Sequence, residues 1–131
     1  MYLTIEHNSG VSVSAQVMAQ IKYRVVSGQL PPGERMPSVR ALASQLKLNP
    51  TTVARIYRQL EAEGIIFTQA GSGTFIGRGP SGLTLAEKRR QVSQRVRELV
   101  VESGRIGLDY RELVKLLETE IRKIEQKESR L

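Results

Sequence analysis

Cysteine is absent from these 131 residues and histidine occurs once. The first absence excludes disulfides, thiolate catalysis and cysteine-based metal sites, and it suits a reducing cytoplasm. The single histidine, His7, lies in the turn-like stretch His7-Asn8-Ser9-Gly10. It has no partners for a metal site and reads as a solvent-exposed residue. With no spaced carboxylates and no Ser/His/Asp constellation, an enzyme has almost no support. Long apolar runs are missing as well, although 40% of the residues are hydrophobic, so no transmembrane span is expected. No basic stretch leading into an apolar one marks a signal peptide. Neither G-x-x-x-x-G-K-[ST] nor a helix-opening G-x-G-x-x-G is present, which excludes the usual nucleotide cradles. The expectation is a cytoplasmic protein without cofactor or metal.

Acids are the other scarce class. Lys and Arg number 20 against 13 Asp and Glu, for a net charge of +7 and a sequence pI near 10.1. Such an excess steers a protein toward polyanions. Residues 1–80 hold 8 basic and 4 acidic groups, whereas residues 81–131 hold 12 and 9. The first part is thus sparsely charged with few acids. The second is a dense mixture of both signs, the pattern of a solvated helical surface.

What the sequence does contain is concentrated between Pro37 and Glu63. Ser38 is placed to cap a helix, and Val39, Leu42, Ala43 and Leu46 recur at helical spacing. Lys47-Leu48-Asn49 is a turn, with Asn49 as cap and Pro50 at the first helical position of a second helix. There Val53, Ile56, Tyr57 and Leu60 form the apolar stripe, and Thr51, Thr52, Arg55 and Gln59 the polar face. Two short helices of this kind fit a helix-turn-helix whose second helix enters a DNA major groove. The competing reading is a helical hairpin with a solvated face. After Gly64, two β-type runs, Ile65–Thr68 and Thr74–Ile76, flank the tip Gly71-Ser72-Gly73. A hairpin directly after the second helix is the wing of a winged helix. Glycines at the tip let backbone approach a groove closely, although any hairpin turn also favours them.

The runs LPPGERMPSVRALASQL, LNPTTVARIYRQLEAEGII and GSGTF closely resemble the DNA-binding domain of the GntR family of bacterial transcription regulators, over about residues 11 to 77. The resemblance implies that Arg35, in the loop after Pro31-Pro32-Gly33, lies near the DNA backbone, and that Arg40 reaches the DNA. It places Thr51 and Thr52 where hydroxyls and first-turn N–H groups hold phosphate. Ser38, Asn49, Arg55, Gln59, Gly71, Ser72 and Gly73 complete the candidate DNA-binding set. Two departures stand out: Ala54 occupies a position that is often basic, and Gln69-Ala70 a wing approach that is often basic. Arg55 is then expected to take over base reading.

Upstream, Ser14 to Val26 carries Val17, Met18, Ile21 and Val25 on one face and precedes Gly28, so it reads as the first helix of the core. Tyr2-Leu3-Thr4-Ile5 alternates like a short strand that would extend the wing's sheet. Downstream, Gly77 to Gly82 reads as a linker. Leu85, Val92, Val96, Leu99 and Val100 form a helical stripe ending near Gly104. Asp109 and Glu112 form a capping-box pattern that opens a helix with Leu113, Leu116, Leu117, Ile121 and Ile124 in register. About 50 residues in two amphipathic helices are too few for an independent core, so the stripes need cover either from the chain's own winged-helix domain or from a second chain, and the second chain is the preferred expectation.

The expected fold is mainly α with a small β-hairpin wing: a winged helix-turn-helix over residues 1–79 and a helical dimerisation tail over 80–131. Leu85, Val92, Val96, Leu99, Leu113, Leu117, Ile121 and Ile124 are the candidate dimer contacts. The tail is too short for the effector-binding or enzyme-like domain usual in the family. It looks like the YtrA-like subfamily, whose members dimerise through two short helices and often regulate transporter genes. The expected function is a homodimeric, sequence-specific DNA-binding repressor. The alternative is a winged-helix adaptor for protein or RNA.

Overall fold

The computed structural model describes residues 1–79 and 83–129; the expected linker residues Pro80, Ser81 and Gly82 lie outside them. The chain divides into two compact units, residues 1–80 and 81–130.

The first unit begins with α1 (Val13–Val26), which opens one residue earlier than its apolar pattern suggests. Ser12 is the reason: its Oγ accepts the Ala15 N–H at 3.2 Å, a side-chain cap. Gly28, at φ 81°, takes the left-handed position just beyond the helix. A two-residue strand, β1 (Arg35–Met36), follows the Pro31-Pro32 connector. Then come α2 (Val39–Leu46) and α3 (Pro50–Ala62), and the hairpin β2 (Ile66–Gln69) and β3 (Gly73–Ile76). The sheet order is β1-β3-β2, antiparallel throughout, with Arg35 opposite Phe75 and Phe67 opposite Phe75 on the other side.

Both helices of the central pair start where their caps dictate. Ser38 Oγ accepts the Ala41 N–H at 3.1 Å, and Asn49 Oδ1 accepts the Thr51 N–H at 2.8 Å, with Pro50 at the first helical position. Between them Lys47 adopts φ 55°, the left-handed conformation that ends α2. The expected stripe of α3 is buried in full: Val53, Ile56, Tyr57 and Leu60. These side chains pack with Val17 and Ile21 of α1, Leu42 and Ala43 of α2, and Met36, Ile66 and Ile76 of the sheet. Burial of each large aliphatic group contributes about 1.5–3 kcal/mol. The Tyr57 hydroxyl donates to the Pro37 carbonyl at 2.7 Å and so fastens the entrance of α2 to α3. Gly77 closes the unit. Its N–H donates to the Ile65 carbonyl at 2.8 Å, and a Cβ there would fall 2.7 Å from the Gly64 carbonyl oxygen.

The N-terminal segment corrects the sequence reading. Residues 2–5 form no strand; the sheet's third member is Arg35–Met36, expected only as loop. What holds the segment is side chains of α1. Gln20 Oε1 accepts the Thr4 N–H at 2.9 Å while its Nε2 donates to the Thr4 carbonyl at 2.6 Å. Gln16 grips the Glu6 N–H and carbonyl in the same way, at 2.8 and 2.9 Å, and the Arg24 guanidinium donates to the Tyr2 carbonyl. Four helical residues rise about 6 Å and two extended residues about 6.6 Å, so side chains at i, i+4 and i+8 meet every second peptide. Leu3, pointing the other way, joins the core.

The second unit consists of α4 (Leu85–Arg105) and α5 (Tyr110–Ser129). Thr84 caps α4, its Oγ1 accepting the Glu87 N–H at 3.1 Å. The helix ends at Arg105, one residue past Gly104, near which it was expected to end, and Gly107 follows at φ 78°. The Asp109–Glu112 capping pattern is half realised: Asp109 Oδ1 accepts the Arg111 N–H at 3.0 Å, while Glu112 pairs with Lys115 instead. Only Ser103 and Leu113 are buried here among the described residues. No helix among the described residues is long and apolar enough to cross a membrane.

Candidate nucleic-acid interface

Burial fixes which side of α3 is available. With Val53, Ile56, Tyr57 and Leu60 inward, the outward face carries Thr51, Arg55 and Arg58, spaced i, i+4 and i+7. Thr52 is half-buried at its edge. Pro50 has no N–H, and Asn49 already satisfies that of Thr51, so the hydroxyls of the first turn are the groups left to meet an anion. Gln59 is exposed but committed locally: its Nε2 donates to Glu63 at 3.3 Å, and Glu63 is paired with Lys22 at 2.9 Å.

The remaining candidates come from neighbouring elements. Arg40, in the first turn of α2, is exposed, and the cap at Ser38 leaves the hydroxyl of that serine free to donate. Arg35 projects from β1 across the wing. Its guanidinium lies over Gly73, where a Cβ would come within 3.2 Å of Nε and Nη2. At the tip of the wing Gly71 and Ser72 are exposed and Gly73 is half-buried, with Gly71 at φ 79° and Gly73 at φ 122°, and the Ser72 N–H donating to the Gln69 carbonyl at 3.0 Å. Behind it Phe67 and Phe75 stack with centroids 5.6 Å apart. Glu61 Oε1 accepts the Thr68 N–H at 3.0 Å and ties the wing to α3.

The charges are sorted by this arrangement. Lys22 and Arg24 of α1 are engaged internally, and Glu61 and Glu63 are both occupied. Arg35, Arg40, Lys47, Arg55 and Arg58 have no ion pair among the described residues. Unpaired guanidiniums around an exposed helix face suit phosphate oxygens and guanine edges, which accept bidentate donation. Arg58 is the residue that sequence reasoning passed over, although its spacing of three from Arg55 and seven from Thr51 marks it. The Glu61–Thr68 tie carries no sequence signal, since it depends on the hairpin folding back. No cluster of metal-ligating side chains occurs among the described residues.

Of the candidate dimer contacts, Leu85, Val92, Val96 and Leu99 on α4 and Leu117 and Ile121 on α5 are exposed in the single chain. Ile124 is half-buried, and Leu113 is already buried within the chain.

Residues 13–76 match the family of bacterial regulatory proteins, gntR family. The HTH-type transcriptional repressor YtrA of Bacillus subtilis is 31% identical over 111 residues, 85% of each chain. A crystal structure described as a transcriptional antiterminator from Listeria monocytogenes superposes with a TM-score of 0.83 at 31% identity, covering 95% of this chain and 92% of that one. YtrA from Sulfolobus acidocaldarius, a GntR-family transcription factor, superposes at 0.57 with 28% identity over 73% of this chain and 97% of its own. The chain belongs to the GntR family of bacterial regulatory proteins, as a YtrA-like, DNA-binding winged-helix regulator of transcription.

Proposed function

We propose that the protein is a cytoplasmic, homodimeric repressor that binds an inverted-repeat operator, with residues 1–79 reading DNA and residues 80–131 joining the protomers. The observation that carries this reading is the outward face of α3. Thr51, Arg55 and Arg58 stand exposed on a helix whose opposite face is wholly buried, beside a glycine-tipped wing. The name of the Bacillus relative, a transcriptional repressor, supports repression. The YtrA-like resemblance supports a transporter operon as the target. Apolar stripes on α4 and α5 that one chain leaves exposed support the dimer.

A two-fold dimer presents two recognition helices related by its axis, so each reads one inverted half-site. Half-site centres are then about 10 bp apart, or a multiple of that, to keep both helices on one side of the duplex. Selection from a random DNA pool tests this: an inverted repeat with guanine in each half-site is expected. A pool with no consensus, or a direct repeat, overturns the symmetric repressor and favours an adaptor for RNA or protein.

A further inference from the structure

The first half of α4 carries a run of cations that no described residue neutralises. Between Leu85 and Arg97 lie Lys88, Arg89, Arg90, Arg95 and Arg97 against a single acid, Glu87. All five are exposed. Two acids lie within helical reach of them, and both are engaged elsewhere. Glu87 accepts from the Thr84 hydroxyl at 3.1 Å, and Glu98 accepts from Gln94 at 3.1 Å. The ion pairs of this unit, among the described residues, all lie further along: Glu102–Arg105, Glu112–Lys115 and Glu120–Lys123. From Glu98 to Glu125 acids outnumber bases by 7 to 5. The mixed charge of the tail is therefore segregated, positive first and then paired.

Local helix energetics do not account for the run. Lys88 sits in the first turn, where the helix dipole favours acids, and the five cations find no i, i+3 or i, i+4 ion pair among the described residues. A membrane surface is a poor match, because interfacial helices oppose their basic face with Trp, Phe and Leu, whereas the apolar residues amid these cations are Val92 and Val96. Chain length favours DNA. The eight residues from Gly77 to Thr84 reach at most about 28 Å, less than one turn of duplex, and contribute Arg78 and no acid.

We propose that the first half of α4, with Lys88 and Arg95 on one side, Arg90 and Arg97 on the opposite side and Arg89 between them, is a second, sequence-independent phosphate-binding segment that extends the DNA contact beyond the recognition helix and wing. This rests on the DNA-binding reading above. The attraction is electrostatic, so it acts alike on every sequence and through the salt dependence of binding.

The test uses the full chain and the triple variant Lys88→Gln, Arg90→Gln, Arg95→Gln. These positions avoid Arg89 and Arg97, which border the groove over Val92 and Val96. Binding to a 40-bp duplex of mixed sequence, and to the duplex selected above, is titrated by fluorescence anisotropy across a potassium chloride series. The slope of log K against log salt should fall by about 2–3 per protomer, roughly 0.9 for each phosphate no longer neutralised. The affinity for both duplexes should drop together, by about tenfold or more, with helix content and sedimentation unchanged. Arg90→Lys with Arg95→Lys should keep the wild-type slope. Lys115→Gln, Arg122→Gln, Lys123→Gln, an equal charge change placed on α5, should leave it intact.

An unchanged slope overturns the proposal, as does an equal loss in both triple variants, which would mean a general charge effect. Loss of the dimer in the first variant would assign the cations to protomer contact, and lost binding to phosphatidylserine vesicles with DNA affinity intact would assign them to a membrane; either overturns it. A wild-type chain that binds neither duplex sinks the DNA reading itself. A wild type and a triple variant that bind identically sink only the second segment.

Discussion

Tyr57 joins two functions in one side chain. Its ring is part of the core, and its hydroxyl holds the Pro37 carbonyl at 2.7 Å, next to the serine that caps α2. Tyr57→Phe should therefore cost about 1–2 kcal/mol in denaturant unfolding, because the carbonyl is left without its donor. Burial also pushes the Tyr57 phenol well above its ordinary value of 10.0. The sign follows from the raised value: below about pH 10 both states keep the proton and the stabilisation is complete. Above that pH the unfolded chain ionises first and stability falls. The phenylalanine variant should show a shallower alkaline loss, measured by unfolding between pH 9 and 11. Arg40 and Arg55 lie off the apolar stripes, so alanine at either should leave stability nearly unchanged and weaken operator binding by about 1–3 kcal/mol if each makes a bidentate base contact. Unfolding midpoints that drop in these variants would mark the arginines as structural. Gly77 is the opposite case, a residue without chemistry that the fold needs. Gly77→Ala drives a Cβ into the Gly64 carbonyl oxygen and should cost about 1–3 kcal/mol by thermal unfolding, with β3 displaced from α3.

At the scale of elements, what the sequence disclosed was whatever its own local chemistry decides. Ser38, Asn49 and Pro50 announce helix starts because a cap is satisfied within three residues. The stripe at Val53, Ile56, Tyr57 and Leu60 announces a buried face because helical spacing is short-range. β1 was illegible for the converse reason: two residues carry no period, and Arg35 and Met36 become a strand only because Phe75 and Thr74 arrive beside them. The N-terminal segment misled in a more instructive way. Its alternation is that of a strand, yet its hydrogen-bond partners are amide side chains ten and sixteen residues away. The Thr4 and Glu6 amides should accordingly resist hydrogen exchange while those of Leu3 and Ile5 exchange fast, read by NMR. Gln20→Ala should expose Thr4 alone and leave Glu6 protected. Loss of protection at both would mean that the segment docks through Leu3 rather than through the glutamines. On α3, Arg58 was as legible as Arg55. The candidate DNA face is wider by that residue.

For the whole molecule the two units differ in what holds them. Residues 1–79 enclose a core drawn from three helices and a sheet, and a chain truncated after Gly79 should fold as a monomer whose operator affinity falls because two linked half-sites become one. If that fragment still sediments as a dimer, the tail is not the joining element. The tail itself buries only Ser103 and Leu113 among its described residues, and its stripes stand ready for a partner. Such a unit obeys mass action: its folded state is favoured by whatever protein concentration favours association. Calorimetry at two concentrations a hundredfold apart should thus show one transition that stays in place and another that climbs with concentration. The cell's supply of this protein would then set how much of it is shaped to hold two half-sites at once.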